Sequence, residues 1–138
     1  MYTFGNRSME AYSTLHPLLQ ELMDDAIKLV DFAILEGRRD KKEQDLAFGA
    51  GMSRVKYPNS KHNTAPSHAV DVAPYPIDWK DESRFAYLAG IIMGLAKAKG
   101  IKIRWGGDWD SDGVMNTREE GEDRKVLNDL VHFELVDV

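Results

Sequence analysis

The amino-acid sequence predicts an α+β fold: a small, mostly antiparallel sheet with helices packed against it. Two segments carry apolar residues at the 3–4 spacing of an amphipathic helix, one over 15–30 and one over 82–99. Short apolar runs of strand length lie at 31–37, 68–73, 101–105 and 132–138. Helices and strands do not alternate regularly, as they would in a parallel sheet, which favours antiparallel pairing.

Local signals justify the elements in chain order. Pro17 fits the first turn of the first helix, because a missing N–H costs little there. Lys41 begins a shorter helix that ends at a glycine pair, and the polar stretch 52–66 is rich in Pro, Asn and Ser, as a loop is. Asp81 is the predicted N-cap of the second long helix, and Gly100 is its predicted end.

The composition limits the chemistry that this chain can perform. Its 138 residues are 43% hydrophobic and 30% charged, which is ordinary for a globular protein, and we expect one domain over 1–138. Cysteine is absent, which excludes disulfides, thiolate metal sites and a cysteine nucleophile. A transition-metal site must therefore use His with Asp or Glu, and the chain has four His residues.

Charge and hydropathy patterns exclude several classes of partner. The N-terminal residues lack the basic and apolar regions of a secretory signal, and no apolar run approaches the length of a membrane span. No basic stripe with interleaved aromatic residues indicates nucleic-acid binding. We therefore expect a monomer that is made in the cytoplasm and binds neither membrane nor nucleic acid.

Two distant segments carry side chains that can hold a metal ion. His62 ends a polar loop, and Asp71 lies inside the apolar run 69–73, where a carboxylate is costly unless it is paired or metal-bound. His132 opens the last predicted strand, three residues after Asp129. Two imidazoles and a carboxylate can form a three-ligand zinc site, beside which a second carboxylate can act as base. Taken singly, Asp71 could instead be satisfied by backbone amides, and His132 could be a hydrogen-bonded core residue.

An acidic segment has the spacing of a calcium-binding loop. It follows the pattern D-x-D-x-D-G-x5-E, in which the glycine makes a sharp turn and the last Glu binds with both oxygens. A strand-like segment replaces the usual entering helix, and an acidic surface loop without an ion is the alternative. The predicted Ca²⁺ ligands are Asp108, Asp110, Asp112, Asn116 and Glu119, with the carbonyl of Val114.

Five segments, in order along nearly the whole chain, together carry a resemblance to a known family. They are NRSMEAYSTLHPLLQELMDDAI, DFAILEGRRDKKEQ, SKHNTAPSHAVDVAPYP, IKIRWGGDWDSDG and DLVHFEL. They resemble the D-alanyl-D-alanine peptidase and L-alanyl-D-glutamate endopeptidase family of zinc enzymes, which includes phage endolysins. The resemblance implies the hedgehog/DD-peptidase fold.

The resemblance also implies roles for individual residues. It places the Zn²⁺ ligands at His62, Asp71 and His132, and the general base at Asp129. It assigns to Arg39 the arginine that binds and polarises the scissile carbonyl, where positive charge stabilises an oxyanion.

Two of these assignments have a rival. Arg38 adjoins Arg39, and only one of them can reach the site if both lie in a strand, because neighbouring side chains there point to opposite faces. The family pattern H-x-x-G-x-A-x-D is replaced by a longer segment without glycine, which leaves His68 as a rival ligand. The alanine two residues before Asp71 matches the family pattern and favours Asp71.

The function that the resemblance implies is that of an L-alanyl-D-glutamate endopeptidase-type phage endolysin. Such an enzyme is made in the host cytoplasm, acts on the cell wall after release and cleaves the peptide stem of bacterial peptidoglycan; some phage members are calcium-regulated. A D-Ala-D-Ala carboxypeptidase or dipeptidase would use the same residues. A non-catalytic cell-wall-binding module on the same fold is the alternative from another class, and it would not need a base such as Asp129.

Overall fold

A four-stranded sheet organises the part of the chain that the computed structural model describes, residues 1–115 and 129–138. The helices are α1 (Asn6–Tyr12), α2 (Pro17–Ile27), α3 (Lys41–Gly49) and α4 (Glu82–Lys99), with a 3-10 helix at Lys61–Asn63. The strands are β1 (Phe32–Glu36), β2 (Ala69–Pro74), β3 (Ile103–Trp105) and β4 (His132–Leu135).

The strand order is β1-β2-β4-β3, and all three neighbouring pairs are antiparallel. Asp71 on β2 lies directly opposite His132 on β4, and Glu36 of β1 is paired with Asp71 across a bulge. The predicted α+β class with an antiparallel sheet is therefore confirmed. The pairing brings three predicted segments, far apart in sequence, to one place.

The hydrophobic core lies between one face of the sheet and helices α2 and α4. Val70 and Val72 belong to this core, together with Leu22 of α2 and Ile92 of α4. Side chains alternate along a strand, so Asp71 points to the opposite face. Helices α2 and α4 thus cover one face of the sheet, and the other face carries the polar side chain of Asp71.

The N-terminal part of the chain departs from the prediction. The apolar pattern over 15–30 predicted one helix, whereas the structure has α1 before it and ends α2 at Ile27. The break is at His16, because the ring of Pro17 disfavours helical geometry in the residue before it. His16 is extended (φ −55°, ψ 142°), and its Nδ1 accepts a hydrogen bond from the backbone N–H of Leu18.

The other element ends agree with the predictions to within a few residues. Gly100 adopts the left-handed conformation (φ 71°) and ends α4 as predicted. Asp81 occupies the N-cap position, but its carboxylate accepts from the Ser83 hydroxyl rather than capping a backbone N–H. The last strand ends at Leu135 rather than continuing to 138. None of the helices within 1–115 and 129–138 is long and apolar enough to cross a membrane.

Candidate metal centre and active site

The side chains of His62, Asp71 and His132 converge on the polar face of the sheet, and all three are buried. Nε2 of His62 lies 3.2 Å from Oδ1 of Asp71 and 3.3 Å from Nδ1 of His132. Nδ1 of His132 lies 3.1 Å from the same carboxylate oxygen. The structure therefore brings together the three residues that the sequence predicts as metal ligands.

The outward nitrogen of each imidazole is held by an acceptor. Nδ1 of His62 lies 2.6 Å from the carbonyl oxygen of Gly37, and Nε2 of His132 lies 2.9 Å from Oε1 of Glu134. Carbonyl and carboxylate oxygens only accept, so these two nitrogens carry the ring hydrogens. In neutral rings the inward nitrogens then present lone pairs to the Asp71 oxygen. Three acceptors this close require a proton or a cation between them.

In the absence of a metal ion, a proton takes that place. Burial opposes protonation of His132, but hydrogen bonds to Asp71 and Glu134 outweigh it and raise the pKa of His132 to about 9. Burial alone would raise the pKa of Asp71, yet hydrogen bonds with His132 and His62 hold it well below its usual value. The metal-free cluster is therefore stabilised by an imidazolium–carboxylate pair.

The same geometry fits a metal ion. Ligand atoms about 2.0–2.1 Å from a tetrahedral ion are about 3.3–3.4 Å apart, and the three separations here are 3.1, 3.2 and 3.3 Å. An acceptor on the outer nitrogen of each histidine is also the arrangement that orients metal-bound imidazoles. The cluster can therefore bind a metal ion.

Arg39 extends from the end of β1 to the metal ligands. Its Nε and Nη2 bind the two carboxylate oxygens of Glu36 at 2.7 and 2.9 Å, and Nη2 lies 3.5 Å from Oδ2 of Asp71. Burial lowers the pKa of Arg39, but the hydrogen bond and charge of Glu36 outweigh it, so the pKa is raised. Arg38 is exposed instead. Both arginines follow the strand rather than lie in it, so burial, not strand alternation, distinguishes them.

Asp129 lies in the turn that leads into β4 and lines the same cavity as the metal ligands. Its backbone N–H donates to the carbonyl of Gly106, and its own carbonyl accepts from the N–H of His132. A Cβ at position 106 would overlap the Asp129 carbonyl, so only glycine fits there. Burial and the nearby charge of Asp71 raise the pKa of Asp129, against the opposing effect of the surrounding cations.

The cavity above the cluster has a volume of about 460 Å³. Trp109 closes one side, with its ring centroid 5.6 Å from that of His132. His68, the rival ligand, is half-buried and lies against His16 at a centroid distance of 5.2 Å, outside the cluster. Besides Trp109, the lining residues are Arg39, Met52, Ser53, Arg54, Val55, Asn59, Ser60, Lys61, His62, Asp129, His132 and Glu134.

Gln44 of α3 is a residue of the site that sequence reasoning missed. It is fully buried, and its Oε1 accepts from Nη1 of Arg39 at 3.2 Å and from Asn63 at 3.3 Å. Its Nε2 donates to the Ser53 hydroxyl and to the Val55 carbonyl at 2.9 and 2.8 Å. One amide thus connects the arginine to the loop that lines the cavity. It is the last residue of the segment DFAILEGRRDKKEQ that carries the family resemblance, but no role was assigned to it from the sequence.

Glu36 and Glu134 were also missed as partners of the predicted residues. A usable signal existed for Glu134, because residues two apart in a strand share a face and His132 opens that strand. Glu36 precedes Arg39 by three residues, but their contact depends on a turn after β1 that local sequence does not specify.

The acidic loop brings three of its predicted ligands together. The carboxylates of Asp108, Asp110 and Asp112 lie within 4.8 Å of one another. Asp108 accepts from the backbone N–H groups of Asp112 and Gly113, and Asp112 accepts from that of Val114. Gly113 has φ 82°, as the predicted sharp turn requires. The predicted ligands Asn116 and Glu119 lie outside the described residues.

Comparison with known proteins identifies the class. A family model for phage L-alanyl-D-glutamate peptidase matches residues 1–136. The L-alanyl-D-glutamate peptidase of Escherichia phage T5 is 35% identical in an alignment of 141 positions, which covers 98% of this chain and 98% of the phage T5 protein. The crystal structure of the L-Ala D-Glu endopeptidase ChiX from Serratia marcescens superposes with a TM-score of 0.73 at 28% identity, over 98% of this chain and 91% of ChiX.

These similarities and the fold define a peptidase. The chain belongs to the family of phage L-alanyl-D-glutamate peptidases. The family and the fold that the sequence predicted are thereby confirmed.

Proposed function

We propose that residues 1–138 form a single zinc-dependent catalytic domain that cleaves the L-alanyl-D-glutamate bond of the peptidoglycan stem peptide. The observation that carries the zinc assignment is the cluster of His62, Asp71 and His132, whose inward atoms lie 3.1–3.3 Å apart. Two imidazole nitrogens and one carboxylate oxygen are a common catalytic zinc set, which leaves a fourth position open. The family supports the choice of bond.

The metal and the residues around the cluster have different roles in the reaction. A metal held there supplies Lewis acidity to the scissile carbonyl and to the attacking water. Asp129 lines the cavity, and its raised pKa suits a group that takes a proton from water and passes it to the leaving amine. Arg39 contributes a fixed positive charge at the cavity wall, where negative charge develops on the carbonyl oxygen.

The neighbours of these residues act as positioning groups. Glu36 holds the guanidinium of Arg39 by two hydrogen bonds, and Gln44 fixes its third nitrogen. Glu134 holds the ring of His132 from the side opposite the cluster. Because each reacting group is fixed by buried partners, little reorganisation is needed when substrate binds.

One wall of the cavity carries positive charge, which favours binding of an acidic substrate. Arg54 and Lys61 line the wall formed by the 52–61 segment, and Nζ of Lys61 donates to the carbonyl of Leu135. In a stem peptide the D-glutamate continues through its side-chain carboxyl, so its α-carboxylate is free. A basic wall beside the scissile bond is suited to that anion.

A second ion belongs to the same proposal. The loop beginning at Asp108 has the spacing of a calcium site, and three of its carboxylates face one another. We assign to it a regulatory or structural Ca²⁺. Synthesis in the host cytoplasm, where free calcium is low, followed by release to the wall, is the localisation that this proposal entails.

Digestion of a synthetic stem peptide tests the proposal. The zinc-loaded protein should release free L-alanine from L-Ala-γ-D-Glu-L-Lys-D-Ala-D-Ala, with the products identified by mass spectrometry. A chelator should stop the reaction and added Zn²⁺ should restore it, while H132A should remain inactive with either treatment. Release of D-alanine in place of L-alanine would instead indicate a D-Ala-D-Ala carboxypeptidase.

A further inference from the structure

Met52, Arg54 and Val55 form an exposed rim on the catalytic cavity. All three line the cavity that the metal ligands also line, and Met52 and Val55 are 74% and 41% exposed although both are apolar. Arg54 is exposed as well. A cation between two apolar side chains, at the mouth of a cavity, suits a ligand that has an aliphatic chain and an anionic end. We call these three residues the cavity rim.

Hydrogen bonds from α3 hold the backbone of the cavity rim. The backbone N–H of Met52 donates to the carbonyl of Ala47 at 2.9 Å. The side-chain amide of Gln44, which is fully buried, donates to the Val55 carbonyl at 2.8 Å and accepts from the Arg39 guanidinium at 3.2 Å. The cavity rim therefore has a fixed position relative to the catalytic arginine before any substrate binds.

Two sides of the catalytic cavity differ in charge. Residues 46–61, which contain the rim, include three cations and no acid, in a chain whose net charge is −5. Trp109 forms another side and lies within the loop that begins at Asp108, whose three clustered carboxylates exceed the charge of one Ca²⁺. The two sides come from opposite edges of the sheet, because Gln44 connects the rim to Arg39 after β1, whereas Trp109 follows β3. Carboxylates of the substrate are therefore favoured at the rim.

The leaving half of the stem peptide carries the carboxylates. It begins with D-glutamate, and a diamino acid follows as the third residue of the stem. In one class of cell wall this residue is lysine, whose side chain ends in an ammonium group. In another class it is diaminopimelate, whose side chain ends in an ammonium and a carboxylate. About eleven bonds separate that carboxylate from the scissile nitrogen, which is almost four extended residues or about 13 Å. The end of the side chain can therefore reach the mouth of the cavity.

Resting on the proposed function, we propose that the cavity rim binds the side chain of the third stem residue and selects diaminopimelate over lysine. Met52 and Val55 contact the methylene chain, and Arg54 binds the terminal carboxylate. The half-buried Lys61 serves the α-carboxylate of D-glutamate. Arginine has five N–H donors in a planar fork, so it binds a carboxylate in addition to its contacts within the protein. A lysine side chain would instead bring its ammonium group against the guanidinium, and the two cations repel.

The test uses tetrapeptides L-Ala-γ-D-Glu-X-D-Ala in which X is meso-diaminopimelate, the same residue with its distal carboxylate amidated, or L-lysine. For the wild type, kcat/KM should be about fivefold higher with diaminopimelate than with either other residue, the upper range for one exposed ion pair. R54Q should reduce this ratio to below about twofold. The control K56Q removes the same charge from an exposed lysine that lies over the Phe48 ring, and it should keep the ratio.

Equal kcat/KM for the diaminopimelate and lysine peptides, a preference for lysine, or a preference that R54Q retains would overturn the proposal. So would equal effects of R54Q and K56Q, which would assign the preference to overall charge.

Binding of the leaving tripeptide γ-D-Glu-X-D-Ala, measured by calorimetry, separates this proposal from the proposed function, because it requires no cleavage. Zinc-loaded wild-type protein should bind the diaminopimelate tripeptide about fivefold more tightly than the lysine tripeptide, and R54Q should bind the two about equally. This preference without cleavage of the tetrapeptides would contradict the proposed function alone, and cleavage without the preference would contradict the role of the cavity rim alone.

Discussion

Glu134 accepts a hydrogen bond from Nε2 of His132 across 2.9 Å, while Nδ1 of the same ring lies 3.1 Å from Asp71. The two carboxylates therefore hold opposite edges of one imidazole. Burial would raise the pKa of Glu134, but its hydrogen bond with His132 outweighs burial and lowers it. Glu134 thus remains charged and fixes which nitrogen of His132 faces the cluster.

This relationship predicts the effect of replacing Glu134 on metal affinity. E134Q keeps an oxygen acceptor but removes the charge, so zinc affinity should fall about 10- to 100-fold, as for other partners of metal-bound histidines. Competition with a chromophoric chelator measures it, with H132A as the reference for loss of a ligand. Unchanged affinity in E134Q would show that Glu134 does not orient the ligand.

Metal binding should release protons. The raised pKa of His132, about 9, means that the metal-free protein holds a proton there at neutral pH. Binding at pH 7 should displace about one proton, and apparent affinity should rise about tenfold for each pH unit up to about pH 9. Calorimetry in two buffers of different ionisation enthalpy counts the protons. A count near zero would mean that His132 is already neutral.

The raised pKa of His132 also makes the stability of the metal-free protein depend on pH. Because the pKa of His132 is raised on folding from about 6.5, its contribution is complete below pH 6.5 and is lost as pH rises through about 9. The metal-loaded protein should lack this loss, since the metal replaces the proton. Thermal unfolding of both forms at pH 6, 8 and 10 compares them.

Asp129 should be needed for turnover and not for metal retention. D129N removes the base, so activity should fall about 100-fold or more, while elemental analysis should find the zinc content unchanged. Its raised pKa places the acidic limb of the pH–rate profile above that of an ordinary aspartate. If D129N retained near-normal activity, Glu134 would be the next candidate for the base.

Replacing Arg39 should affect kcat and stability far more than replacing Arg38. R39A removes the charge at the cavity wall, so kcat should fall about 10²- to 10³-fold, the usual effect of losing one oxyanion donor. It also leaves Glu36 without its partner, so the free energy of unfolding should fall by about 1–3 kcal/mol. R38A, at an exposed position, should change neither quantity. The opposite ranking would place Arg38 in the site.

Calcium should bind to the loop that begins at Asp108. The three carboxylates repel one another, and a divalent cation removes that repulsion. Calorimetry should show binding to the wild type and weaker or no binding to D112A and E119Q. Wall lysis with and without Ca²⁺ tests regulation. Absence of binding heat at several temperatures would exclude the site, and binding without a rate change would make it structural.

The sequence predicted those parts of the structure that are marked by a local pattern of apolar residues or by a family motif. Helical spacing located α2 and α4, and the apolar run around Asp71 located β2. The metal cluster was predicted because its motif fixes the ligand types, although the Asp71–His132 pairing that builds it was not predicted.

The remainder depends on contacts between distant residues. Gln44 contacts Arg39 only because the chain turns back after β1, and a polar helix gives no sign of it. Pro17 is a local signal for the break between α1 and α2. The apolar residues keep their helical spacing on both sides of it, however, and this predicted one helix over 15–30.

The distribution of the metal ligands along the chain has a consequence for the order of events in folding. His62 and Asp71 are nine residues apart, whereas Asp71 and His132 are separated by 61. The β2–β4 pairing that unites them is a long-range contact, which forms slowly because a large loop must close first. The complete set of three ligands can therefore form only when β2 and β4 pair. During refolding, the fraction of chains that hold zinc against a chelator counts the molecules whose sheet is complete.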